Sequence, residues 1–133
     1  MDLKIKIRGY HTDLYRHVNN ARYLEFLEEA RWQLVEEHMD LNDFLNSGLS
    51  FFVVNINISY RSPAKVNDII IVKSGRSKIN NRSAVFKQEI INKTTGKLCI
   101  EADITFVIAD NTGKAINLTG DILESLNKIP CIE

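Results

Sequence analysis

At 133 residues and 15.2 kDa the chain is sized for one domain. Its 44% hydrophobic and 26% charged residues fall in the ordinary globular range and exclude an intrinsically disordered chain. Seventeen Lys and Arg balance seventeen Asp and Glu, so the basic excess of a nucleic-acid binder is missing. No apolar run approaches the roughly 18 residues of a membrane span.

The opening residues, Met1 to Lys6, alternate in character and hold no hydrophobic signal core, so export is not expected. Leu3, Ile5 and Ile7 against Lys4, Lys6 and Arg8 give the period of two of a strand with one wet face. Gly9 closes it, and a polar stretch from Tyr10 to Asn19 follows. From Asn20 the period changes. Tyr23, Leu24, Leu27, Ala30, Arg31, Leu34 and Val35 recur at three and four, which predicts a helix from Asn20 to about His38. Asn19 or Asn20 can cap its start. Residues 40–48 read as a linker with a helical turn around Phe44 and Leu45. Strands are expected over 51–60, 69–73, 84–91 and 98–108, with Pro63 ending the first of them. Asn80-Asn81, Thr95-Gly96 and residues 110–113 supply turns. A short helix over 120–129 closes the chain. Runs of antiparallel strands with a segregated helix indicate an α+β fold, the sheet curling around the apolar helix face. Strand positions left uncovered outside suggest oligomerisation. The two cysteines, Cys99 and Cys131, read as free thiols of a reducing compartment. The expectation is a single cytoplasmic domain over 1–133.

The densest polar cluster, Tyr10 to Asn20, lies between the first strand and the helix start. Free N–H groups and the positive end of a helix dipole can polarise a carbonyl oxygen placed there. A carboxylate beside it, Asp13, can activate water or attack the polarised carbon. The alternative is structural: Asp13 stabilises a turn, and Asn19 and Asn20 cap the helix.

The segments from Gly9 to Asp13 and from His17 to Trp32 resemble the opening signature of the hotdog-fold acyl-CoA thioesterases, the 4-hydroxybenzoyl-CoA thioesterase-like superfamily. Within it they are most similar to the FadM-type (thioesterase III) branch, which acts on long-chain acyl-CoA. The stretches 53–64 and 102–107 agree. The resemblance implies a curved antiparallel sheet wrapped around one long helix, with dimers or tetramers of dimers holding acyl-CoA at a subunit interface. By the same resemblance Asp13 is the catalytic carboxylate, and the carbonyl-polarising N–H lies near Asn20. His17, Asn19 and Tyr23 then support the site, and no metal or organic cofactor is implied. Many relatives of the aromatic-acyl type carry a glycine between the aspartate and the helix. This chain has Leu14-Tyr15-Arg16-His17 there, which favours fatty-acyl substrates.

Nine basic residues between Arg61 and Lys97 face only Asp68 and Glu89. Such a rim suits the phosphates of CoA, with Arg61 and Arg82 the candidates because arginine recognises phosphate in bidentate fashion. Solvated outer strand faces would explain most of the lysines equally well. Glu28 or Glu29 on the helix is a candidate second carboxylate. His11, His17 and His38 show no metal-ligand spacing, and Cys99 reads as core. Two further functions compete. A hotdog hydratase or dehydratase would pair Asp13 with His17, and a noncatalytic acyl-CoA sensor would bind without turnover.

Overall fold

The computed structural model describes residues 2–132. Strand β1 (Asp2–Lys6) leads through a 3-10 turn (Gly9–His11) to helix α1 (Asn20–His38). A short helix α2 (Leu41–Asn46) then precedes β2 (Ser50–Tyr60), β3 (Ile69–Ile79), β4 (Ser83–Asn92) and β5 (Leu98–Ala109), and α3 (Gly120–Lys128) comes last. The strands form one antiparallel sheet in the order β1-β3-β4-β5-β2. This is the α+β arrangement expected from the sequence.

Helix α1 starts where Asn19 accepts the Ala21 N–H on its side-chain oxygen at 2.8 Å. It runs 19 residues without glycine or proline. At its far end the Met39 N–H bonds to the Val35 carbonyl, and His38 Nδ1 meets the Leu34 carbonyl at 2.8 Å. Tyr23, Phe26, Leu27, Ala30 and Leu34 form its buried stripe, packed with Ile70, Val72, Phe86, Ile90, Ile100 and Ile104 of the sheet. Burying each large apolar side chain in such a core contributes roughly 1.5–3 kcal/mol. Leu24, expected on that stripe, is partly exposed, and Phe26 takes the interior instead. Each residue turns the helix about 100°, which swings Leu24 to the outer flank shared with Glu25, Glu28 and Glu29.

Strand β3 extends six residues beyond Lys73, where the expected strand ends. Its second half, Ser74 to Ile79, carries glycine and polar residues and lacks the apolar alternation that marks a strand. On one side it keeps its pairing with β4, and on the other the Arg76 N–H donates to the Pro130 carbonyl and the Ile132 N–H donates back to the Arg76 carbonyl. The segment after α3 thus continues the edge that β1 leaves after Lys73.

Candidate active site

Between the 3-10 turn and α1 the chain makes a narrow loop. Thr12 and Val18 bridge in antiparallel fashion at its base, and the Asp13 N–H bonds to the His17 carbonyl at 3.0 Å. At the tip, Asp13 Oδ1 accepts the Tyr15 N–H at 2.9 Å, and the Arg16 N–H returns to the Asp13 carbonyl at 3.0 Å. Arg16 adopts a left-handed φ of 63°, the local cost of so tight a reversal. The short carboxylate of Asp13 therefore has its orientation set by the turn it initiates.

Three ties fix this loop, two to the β2–β3 connection and one between its own ends. The Val18 N–H donates to the Ala64 carbonyl, the Asn19 N–H donates to the His11 carbonyl, and His17 bridges to Lys65. The Ala64 N–H in turn donates to the Tyr23 hydroxyl at 3.0 Å. Tyr23 is buried, which pushes its pKa up to about 12 and keeps the phenol neutral.

Asp13, His17, Asn20, Tyr23, Tyr60 and Arg61 line one cavity of about 290 Å³ at the α1 N-terminus. Of the first-turn amides, Ala21's goes to the Asn19 side chain and Arg22's to the Asn19 carbonyl. The Asn20 N–H takes neither acceptor. It belongs to the four N–H groups that a helix start leaves without intrahelical partners, at the positive end of the dipole. A carboxylate and a helix N-terminus thus share one hollow, which suits acyl transfer at a polarised carbonyl.

A second cavity, of about 270 Å³, opens between α1 and the sheet, walled by Trp32, Val35, Phe51, Phe86, Ile104 and Phe106. Asn20 at the first hollow and Trp32 at the second are joined along α1 by i, i+4 steps through Leu24 and Glu28, a flank that winds slowly around the helix. At 1.5 Å per residue that flank is about 18 Å long.

The expected residues divide. Asp13, Asn20, His17, Tyr23 and Arg61 come together, while Asn19 serves as the helix cap. Arg61 stands at the rim paired with Glu101 at 2.8 Å, a hydrogen bond that holds the Glu101 carboxyl below its usual range. Arg82 does not join them within the chain. It donates to Asn117 at 3.1 Å in a groove of about 1290 Å³ shared with Arg76, beside the β3–β4 turn. Glu28 borders the second cavity and Glu29 the outer flank, so neither lines the hollow of Asp13. Among the described residues no cluster of metal-ligating side chains is found. Cys99 is buried, with the Ser62 hydroxyl 3.8 Å from its sulfur, and burial pushes its thiol pKa up, the reverse of nucleophile activation. Sequence reading missed Tyr60 and Ser62 as wall residues. It took Tyr60 only as an alternating strand position, though its hydroxyl reaches the Asn20 carbonyl at 3.4 Å.

A family model described as the thioesterase-like superfamily matches residues 7–126. The long-chain acyl-CoA thioesterase FadM of Escherichia coli is 44% identical over 130 residues, 97% of this chain and 98% of the relative. The acyl-CoA thioester hydrolase YbgC of Shigella flexneri is 27% identical over 107 residues, covering 78% and 79% of the two chains. Among solved structures, the probable thioesterase YbaW of Escherichia coli superposes with a TM-score of 0.89 at 44% identity, over 97% of this chain and 98% of the other. The hotdog sheet and helix are common to both.

Proposed function

As the chain belongs to the thioesterase-like superfamily, we propose that it hydrolyses long-chain fatty acyl-CoA to the free fatty acid and CoA. The observation that carries this reading is the placement of Asp13 and the α1 N-terminus in one hollow. The Asn20 N–H receives the thioester oxygen as it gains negative charge. Asp13 Oδ1 is committed to its turn, and Oδ2 is assigned to the chemistry. It either takes a proton from water as the water oxygen attacks the carbonyl carbon, or attacks that carbon itself to give a mixed anhydride that water then opens. On either route the C–S bond breaks, the acyl group gains the water oxygen, and a proton passes to the CoA thiolate.

The apolar cavity and the 18 Å flank suit the acyl chain, and their length favours long chains over short or aromatic ones. CoA phosphates are assigned to Arg61 and Arg82. Arg82 lies at the opposite end of the sheet from Asp13, but antiparallel pairing of two β2 edges sets one protomer's far end beside the other's near end. The working unit is accordingly a homodimer, or a homotetramer of two such dimers. A cytoplasmic place in fatty acid metabolism fits the substrate and the two free thiols.

Free thiol release from acyl-CoAs between acetyl and palmitoyl tests the assignment. Fast release from the long chains, lost in Asp13→Asn, is expected. One observation favours a second reading: His17 lines the hollow beside Asp13, as a hydratase would need. A hydratase leaves the thioester intact, so hydration of an enoyl-CoA without thiol release would replace the first reading with that one. Saturable binding with no turnover at all would point to a sensor.

A further inference from the structure

The apolar cavity has one cationic wall group, Arg31, and the core beneath it holds an uncommon polar array. Gln88, on β4, is fully buried at 0% exposure. Its Nε2 donates to the Leu27 carbonyl of α1 at 2.9 Å and to the Ser74 hydroxyl at 2.8 Å. Both amide hydrogens are then committed, so Oε1 must be the atom that accepts the Arg31 Nη1 hydrogen bond at 3.1 Å. Arg31 is thereby held inward; burial lowers its pKa and so opposes its charge, and the Glu28 carboxylate three residues back on the helix offsets this in part. The two salt bridges found among the described residues are Arg22–Glu25 and Arg61–Glu101, and neither involves Arg31. Glu28, the acidic residue at the same cavity, lies at the exposed rim, where water can solvate its carboxylate.

A methylene chain laid against Phe51, Phe86 and Phe106 gains from each apolar contact, whereas one that reaches the Arg31 part of the wall meets the guanidinium. Beyond that point it must strip water from a charge and offer no acceptor in return. Gln88 keeps the head from swinging aside. We infer that Arg31, anchored by Gln88 in the wall of the cavity, is the stop that sets the longest acyl chain the enzyme accepts. The inference rests on the acyl-CoA reading above, and it makes Arg31 a specificity residue with no part in bond breaking.

The test uses S-alkyl-CoA thioethers, which cannot be hydrolysed, from octyl to octadecyl. Binding is measured by calorimetry to the wild type, to Arg31→Met and to Arg31→Gln, beside the kcat/KM profile on the matching acyl-CoAs. Met keeps an apolar stem of similar reach. Gln removes the charge but retains a donor for Gln88, and so serves if the Met variant fails to fold. In the wild type, affinity should rise about four-fold per methylene and then break. In the variants the break should move to longer chains, with the first thioether beyond the wild-type limit bound at least about four-fold more tightly. The kcat/KM optimum should move with it. A break at the same length in a folded variant overturns the inference while leaving the thioesterase intact. Absence of hydrolysis by the wild type, with the break present and movable, would instead overturn the proposed reaction and keep the stop.

Discussion

His11 sits 7% exposed between the rings of Tyr10 and Phe26, and its Nδ1 accepts the Arg8 N–H at 2.9 Å. Burial, and then the nearby Arg22 and Arg8, lower its pKa below the usual 6.5, so the folded state holds a neutral ring. The unfolded chain takes its proton at the ordinary value. In the window below about pH 6.5 the unfolded state therefore binds more protons, and stability falls as pH falls, until the folded pKa is passed. Urea midpoints should drop between pH 7 and 5.5 in the wild type. They should drop less in His11→Asn, whose side-chain oxygen can accept the same Arg8 N–H. An equal drop in both would assign the pH dependence to other groups. The sequence marks His11 only as one member of a polar cluster. Its burial depends on Phe26, fifteen residues along and brought back by the helix. The nearness of Asp13 and Asn20, by contrast, is legible from the sequence, because loop and helix start are contiguous there. Gln88 and Arg31 are 57 residues apart and meet only once the helix is laid on the sheet.

At the scale of elements, the helix boundaries follow from the sequence because cap, periodicity and absence of breakers agree. The second half of β3 does not, because its edge is completed by the segment at 130–132. Gly75 makes that possible. A Cβ there would lie 2.8 Å from the Pro130 carbonyl oxygen and 2.9 Å from Ile132 Cβ, against backbone and a branched side chain with little room to yield. Gly75→Ala should push the terminal segment off the edge and loosen Ile129, which is fully buried. The expected cost is about 1–3 kcal/mol in chemical denaturation, with faster amide exchange at Arg76 and Ile132. A variant of unchanged stability and exchange would show that the terminal segment is not fixed by this contact.

Across the whole molecule the two sheet edges differ. One is blunted: β1 is five residues long and carries Lys4 and Lys6, and the terminal segment covers β3 where β1 no longer pairs with it. The other, β2, is eleven residues long and presents Phe52, Val53, Val54, Ile56 and Tyr60 to solvent. A long apolar edge of this kind is a template for pairing with a second strand. Sedimentation should give a species of at least about twice 15.2 kDa. Ile56→Lys should shift it toward the monomer and lower thioesterase activity together. A fully active wild-type monomer would contradict the dimeric site. The apolar alternation of β2 is readable in the sequence, but its exposure on both faces and the contrast between edges need the strand order.

The central claim is that Asp13 and the α1 N-terminus hydrolyse an acyl-CoA thioester, and palmitoyl-CoA turnover by wild type and Asp13→Asn tests it most directly. Circular dichroism would verify that both proteins are folded. The account predicts rapid thiol release by the wild type and a loss of about 10²-fold or more in the variant. Release at near-normal rate from folded Asp13→Asn would contradict it.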